Sequence, residues 1–397
     1  MKNVVYLTAL GRAYARSGLE AGADILRLVT AVNAASDALG WTASAVARYE
    51  RPRIFTAAVE AMPAAVHAPT GLFARGLSGL KARLDLAGIV RAYKAKLQEY
   101  TDELETADMF HAWDAAAVLA LKGLDSPAIK AKPLLFTPEA GYSGARPKWL
   151  DGLRREALSQ AAALVLSGEC ACAELEAEYR HGKKCFTLPR GLEDFKYLRK
   201  SRIRAELGAK DRDTLVCSFG RLEPEKGFAV LIDAMALAVK KMPDSVYCAI
   251  AGAGPDEQPL KERIRKAGLE SRVKLLGFRR DAGDLLADAE IFVSPAVRTV
   301  SDQGLLEAMR AGLAIIASDA GCNPESLGWG QAGLLVPPGN PAALAAAILS
   351  VASSPKELVY LSARSREHYT KHHTLKATAA AAAGLYNGIA ERNPGCR

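Results

Sequence analysis

Arg221 and Lys226 stand five positions apart in SFGRLEPEKG, residues 218–227, between the apolar run TLVC and the helix-periodic FAVLIDAMALAVKK. Gly220 lets the backbone pass close to a ligand. A helix opening near Gly227 aims unpaired N–H groups and the positive end of its dipole at the same place. An arginine fork and a lysine point charge added there suit phosphate oxygens. The bland alternative is a solvated loop in which the two cations pair with Glu223 and Glu225. A second glycine turn, AGAGP, puts Gly252 and Gly254 after VYCAIA, although a lone G-x-G is usually only a tight turn. A third polar loop, VRTVSDQG, follows IFVSPA. There Gly304 opens a helix with Glu307 in its first turn. The dipole favours an acid at that place whatever its role, and a carboxylate there can also accept from sugar or ribose hydroxyls.

The elements that must position these residues are short strand-like runs alternating with helical ones. The first half holds VVYLTA, MFHAW, PLLFTP, ALVLSG and CFTLP; the second holds TLVCSFG, VYCAIAG, VKLLGF, IFVSPA, AIIASD and GLLVPP. After the first strand, the loop LGRAYARSGLE leads into a helix through ADILRLVTAVNAASDALG. Strands separated by helices predict parallel sheets in a doubly wound α/β fold, whose ligands bind beyond the carboxyl ends of the strands. The pattern restarts near residues 188–197. The expected domains are therefore 1–190 and 191–375, followed by an Ala-rich helix in 376–397 that packs back toward the N-terminal domain.

The chain has 397 residues, half of them hydrophobic, which suits two domains. No segment approaches the roughly 18 uninterrupted apolar residues of a membrane span. The opening MKNVVYLTALGRAYARSG reads as a first strand rather than a signal peptide. Seven cysteines, scattered apart from Cys170 and Cys172, argue for reduced thiols in a cytosol rather than disulfides or zinc. The net charge of +8 suits nucleic acid, an anionic membrane surface or a phosphorylated small molecule. Dispersed cations and the absence of a recognised motif weigh against nucleic acid. No G-x-G-x-x-G follows the first strand, which weighs against a nicotinamide dehydrogenase. In residues 72–98, LFARGLSGLKARLDLAGIVRAYKAKLQ, the cations Arg75, Lys81, Arg83, Arg91, Lys94 and Lys96 face only Asp85. This patch is expected to dock on anionic lipid head groups, at about 1 kcal/mol per cation. Its alternative is an ordinary solvated helix face.

The pieces GRLEPEKG, IAGAGP, VKLLGF, ADAEIFVSPA, GLLEAMRAGLAIIASDAG, NPESL and AGLLVPPGNPAAL, in that order over about residues 215–349, resemble one known family. It is the retaining GT-B glycosyltransferases of the large family 4 type, which includes sucrose synthases, phosphatidylinositol mannosyltransferases and lipopolysaccharide core glucosyltransferases. SGLE, FHAWD, LVLSGECACAEL and LPRGLEDF extend the likeness more loosely into the first half. The resemblance implies two Rossmann-like domains facing a central cleft, the first binding the acceptor and the second the nucleotide sugar. It implies retaining transfer from a nucleotide-diphosphate sugar, UDP before GDP, to a hydroxyl of a glycan or lipid-linked glycan in bacterial polysaccharide or lipopolysaccharide synthesis. The scattered thiols and the basic patch together give the expected localisation: cytoplasmic, with peripheral contact on the inner face of the plasma membrane.

The same resemblance assigns roles. Arg221 and Lys226 would hold the diphosphate and stabilise the leaving nucleotide, so that no metal and no cofactor are required; no D-x-D motif is dedicated to one. Glu307 would bind the donor ribose, Phe278 and Arg279 beside Gly277 would cradle the base, and Gly11 and Gly18 would bring the first loop to the phosphates. Gly220, Gly254, Gly304, Leu305 and Asp302 complete the donor site. Two positions depart from the family. Thr299 stands where a glutamate usually contacts the transferred sugar, with Asp302 as a substitute from a shifted loop. Glu139 stands where many members carry a histidine near the reacting sugar; a carboxylate there can stabilise positive charge at the anomeric carbon or bind a different sugar. His111 and Asp114, in FHAWDAAA, either approach the cleft or are structural. The rival readings are a nucleotide-sugar-binding protein of this fold with altered or lost transfer, an epimerase lacking an evident acid/base pair, and a basic nucleic-acid-binding protein.

Overall fold

Apolar runs buried on both faces form many of the strands, as parallel sheets covered by helices require. The computed structural model describes residues 2–8, 41–47, 88–138 (without 89, 92 and 96), 148–195, 202–241, 246–279, 282–298 and 303–392. The strands are β1 (Lys2–Thr8), β2 (Trp41–Ala47), β3 (Met109–Ala112), β4 (Leu134–Phe136), β5 (Ala163–Leu166), β6 (Cys185–Thr187), β7 (Thr214–Phe219), β8 (Val246–Ala251), β9 (Val273–Leu275), β10 (Ile291–Ser294), β11 (Ala314–Ser318) and β12 (Leu334–Val336). They form two six-stranded sheets, ordered β2-β1-β3-β4-β5-β6 and β12-β11-β10-β7-β8-β9. Every pairing is parallel. The chain therefore folds as two doubly wound, Rossmann-like α/β sheets.

Each sheet has a point where the chain reverses its direction of winding. In the second sheet the strands run outward from β7 to β9, then return to β10 and run outward to β12. The crevice between β7 and β10 is the switch point where such folds bind ligands. SFGRLEPEKG leaves β7 and VSPA leaves β10 at this place. The helix Phe228–Lys241 that follows buries Phe228, Leu231, Ile232, Met235 and Ala238, a spacing of three and four residues that turns one face to the sheet. It packs beside the helix Pro341–Ser353.

Two units divide the chain: Met1–Gly191 with Leu375–Arg397, and Leu192–Thr374. In the first unit the closing helix Leu375–Arg392 buries Ala379, Ala382, Ala383, Tyr386, Ile389 and Ala390 in one cluster with Val4, Met109, Leu135 and Val165. In the second, Arg204 is 1 % exposed and spends its guanidinium on backbone oxygens of Asp288 (3.0 Å), Lys210 (2.9 Å) and Asp213 (2.9 Å) and on the Glu290 carboxylate. Glu290 in turn accepts from the Leu215 N–H at 2.9 Å, so the buried charge pair clips the helix Arg202–Leu207 to β7.

The opening residues form a strand paired on both sides, β1 between β2 and β3. One strand was not expected: β2, WTASAVA, whose alanines and serine break up the strand-favouring Trp, Thr and Val, but which pairs with β1 along all seven positions. Most of the basic region 72–98 lies outside the described residues. Its described end is helical, with Tyr93 and Leu97 buried and Arg91 exposed. Among the described residues no single helix is long and apolar enough to cross a membrane.

Candidate functional site at the edge of the C-terminal sheet

Backbone hydrogen bonds sew together the turns at the carboxyl ends of four strands. Gly220 N–H donates to Ala251 O and Leu222 N–H to Ala253 O, both at 3.0 Å, and Asp256 N–H returns to Leu222 O at 3.0 Å. Gly252 N–H donates to Gly277 O at 2.8 Å, which ties the β8 turn to the β9 turn. Val297 N–H donates to Glu225 O at 2.9 Å, which ties the β10 loop to the β7 turn. The glycines make this possible. A Cβ on Gly254 would lie 2.3 Å from Leu222 O, and one on Gly227 would lie 2.0 Å from Pro295 O. Gly227 also holds a left-handed φ of 70° at the end of a short 3₁₀ turn, Pro224–Lys226.

This scaffold fixes where the expected site residues stand. Arg221 and Lys226 project from the β7 turn beside the switch point. Arg221 pairs with Glu223 at 3.0 Å while its side chain stays 44 % exposed, so that half of the solvated-loop reading holds. Lys226 is half-buried and, among the described residues, no carboxylate pairs with it. Gly304 and Leu305 are buried in the helix Gln303–Ala311, and Glu307 is half-buried, accepting from Gln303 Nε2 at 2.9 Å. Phe278 is 73 % exposed at the end of the β9 turn. Arg279 forks onto the Glu206 carboxylate at 2.9 and 3.3 Å, which holds it on the helix Arg202–Leu207. Gly11, Gly18, Glu139, Thr299 and Asp302 lie outside the described residues.

A layer of hydroxyls beneath these turns was not anticipated. Ser218 Oγ donates to Val293 O at 2.7 Å, and Ser318 Oγ donates to Ala296 O. The Asn323 amide nitrogen reaches Ser318 O and Ser318 Oγ, each at 3.2 Å, and Ser294 Oγ at 3.4 Å. All four residues are buried, and together they hold the chain leaving β10 against β7 and β11. The available signal was a serine at or near the end of each of three otherwise apolar strands: CSF, FVS and IAS.

His111 and Asp114 are structural. His111 is fully buried, and desolvation lowers its pKa to about 3, so it is neutral. Asp114 caps the helix Ala115–Lys122 by accepting from Ala117 N–H at 2.8 Å. Burial likewise raises the Cys248 thiol to about 12 and raises Cys217 beside it, which keeps both protonated. Among the described residues no group of three or more His, Cys, Asp or Glu side chains could hold a metal ion.

The family model described as "Glycosyl transferases group 1" matches residues 199–368, nearly all of the second unit. That unit resembles the glycosyl transferases group 1. Two curated relatives resemble the chain in part. The lipopolysaccharide core biosynthesis mannosyltransferase LpsB of Rhizobium meliloti is 27 % identical over 196 residues, 48 % of this chain and 56 % of the relative. A phosphatidyl-myo-inositol mannosyltransferase of Mycobacterium leprae is 37 % identical over 132 residues, 32 % and 34 % of the two chains. The chain thus spans less than two thirds of the length of either relative. Among solved structures, a sucrose-phosphate synthase from Thermosynechococcus elongatus superposes with a TM-score of 0.73 at 19 % identity, over 99 % of this chain and all of that one. Anabaena Alr3699/HepE in complex with UDP gives 0.64 at 18 % identity, over 98 % and 100 %. At such identities the likeness is one of fold, and the fold is GT-B. The group 1 unit carries Arg221, Lys226 and Glu307 inside its matched residues.

Proposed function

We propose that the chain is a retaining glycosyltransferase that moves a sugar from a nucleotide-diphosphate sugar to a hydroxyl of a glycan or lipid-linked glycan, in polysaccharide or lipopolysaccharide synthesis. What supports this reading is the place of Arg221 and Lys226 on the β7 turn beside the switch point, tied by backbone hydrogen bonds to the β8 turn and the β10 loop, with Glu307 on the helix Gln303–Ala311. Arg221 and Lys226 face the phosphates and neutralise the charge that develops on the diphosphate as its bond to the anomeric carbon breaks. Fixed cations at a site of developing charge are a large catalytic term. They fill the part that a divalent ion plays elsewhere, so the reaction proceeds without metal or cofactor. Glu307 accepts from the ribose hydroxyls, Phe278 lies against the base, and Glu139, Thr299 and Asp302 meet the transferred sugar. UDP is the favoured nucleotide, with GDP next; a UDP-bound protein of the same fold supports that order. The first unit binds the acceptor, and the basic region 72–98 holds the protein to the anionic inner leaflet, where a lipid-linked acceptor resides.

A thermal-shift screen against UDP, GDP, ADP and their sugars tests the donor assignment. A ligand at a hundred times its Kd stabilises the fold by about 2.7 kcal/mol, a shift of several degrees. UDP is expected to give the largest shift; a flat response to all three nucleotides overturns the assignment. Retention is read from the anomeric configuration of the product, and an inverted product would exclude it. Sedimentation with anionic but not neutral vesicles is expected, and equal partitioning to both would remove the membrane contact.

A further inference from the structure

Asn323 is 1 % exposed, and its Oδ1 is buried and, among the described residues, unpaired. Chemistry fixes which way the amide faces. Ser318 O can only accept, so the amide nitrogen must point to it, at 3.2 Å. The same nitrogen reaches Ser318 Oγ at 3.2 Å, and that hydroxyl gives its proton to the chain leaving β10, at Ala296 O. An unpaired buried oxygen costs stability, so an amide is a poor choice for packing alone. What it holds is more specific. The two neighbours of Ala296 touch the two neighbours of Lys226. Val297 N–H donates to Glu225 O at 2.9 Å, and Pro295 O is so near Gly227 that a Cβ there would lie 2.0 Å from it.

We infer that Asn323 is a positioning residue for Lys226: through the Ser318 hydroxyl it fixes Ala296, and the residues beside Ala296 fix the turn on which Lys226 stands. The inference rests on the reading of Lys226 as a cation for the donor diphosphate. The place of the amide explains the need for it. The ladder between β10 and β11 ends at the pair Ser294–Ala317. One residue further on, no ladder bond holds the exit of β10. There the Ser318 hydroxyl and the Asn323 amide, which also reaches Ser294 Oγ at 3.4 Å, take over. A lysine is a point charge on a flexible stem, so the site it serves is only as exact as the backbone beneath it.

Hydrogen–deuterium exchange of the full chain reads the hold directly at the Val297 amide, and titration with UDP reads its consequence. Asn323→Ala and Ser318→Ala are each expected to speed Val297 exchange by about tenfold and to weaken UDP binding by a similar factor, as the loss of one hydrogen bond allows. Asn323→Asp keeps the shape but sets an acceptor against Ser318 O, and should act in the same direction where the alanine variant fails to fold. Because both residues act through one bond, the Asn323→Ala/Ser318→Ala double variant should do no more than either single change. Asn340→Ala controls for stability alone. It removes the cap on the Ala343 N–H, a bond of 3.0 Å, and should lower Tm without altering Val297 exchange or UDP affinity. Unchanged exchange in a folded Asn323 or Ser318 variant, additive effects in the double variant, the same local change in Asn340→Ala, or faster exchange with wild-type UDP affinity would each overturn the inference. A wild-type chain that does not bind UDP would remove the donor reading instead, and the exchange rates would still decide the hold of Asn323 on the turn.

Discussion

The Tyr386 hydroxyl and the His111 imidazole meet at 2.9 Å across 275 positions of sequence. The direction of each bond in this network is fixed by the supply of protons. Thr137 spends its one hydroxyl proton on Val165 O at 2.8 Å. Its oxygen must therefore accept from His111 Nε2 at 2.8 Å, which leaves His111 Nδ1 to accept from Tyr386. A neutral histidine thereby locks the closing helix to β3 and to the segments after β4.

This network sets a pH dependence. His111 titrates near 3 when folded and near 6.5 when unfolded, so between those values the unfolded chain binds the extra proton. Stability is full above about pH 6.5 and falls as pH drops, by about 1.4 kcal/mol per unit from this group, levelling off near pH 3. His368, lowered to about 4 by burial and by its neighbours His373 and His372, adds a slope of the same sign. Urea unfolding of His111→Asn across this range should show a shallower slope than wild type. Tyr386→Phe, which removes the hydroxyl bonded to Nδ1, should cost about 1–3 kcal/mol at pH 7.

Gly227→Ala should break the joint between the β7 turn and the β10 loop. The added methyl group meets Pro295 O at 2.0 Å, at a φ that L-residues adopt only with strain. The expected cost is at least about 2 kcal/mol by chemical denaturation, since both overpacking and backbone strain act. Nucleotide affinity should fall with it, because Lys226 loses its fixed turn.

Trp329 holds a φ of 58° between two left-handed glycines and is 73 % exposed, so little packing rewards its strained backbone. Trp329→Gly should be neutral or raise stability by up to about 1 kcal/mol, measured as Tm. A large loss would mean that the indole has a folding role invisible in its contacts.

Buried parallel strands are legible in a sequence because they read as unbroken apolar runs, as in ALVL of β5 and AIIAS of β11. The strand β2 was not, because the alanines and serine of WTASAVA interrupt any such run, and its seven-position pairing with β1 is visible only in the fold. The same divide runs through the site. Arg221, Lys226 and Gly227 were legible because one turn carries them all. The partners of Ser218, Ser318 and Asn323 were not, since Ser218 bonds 75 positions away and Ser318 22 positions away. The partner of Arg279 was not legible either, since its guanidinium is held by Glu206, 73 positions before it.

The central claim is that two cations on the β7 turn grip a diphosphate, and calorimetric titration of UDP into wild type and into the Arg221→Ala/Lys226→Ala double variant measures it directly. Each hydrogen bond to a charged group contributes about 1.5–3 kcal/mol, so the variant should bind UDP at least about 100-fold more weakly while keeping its circular dichroism and Tm. An unchanged Kd in a folded double variant would contradict the account.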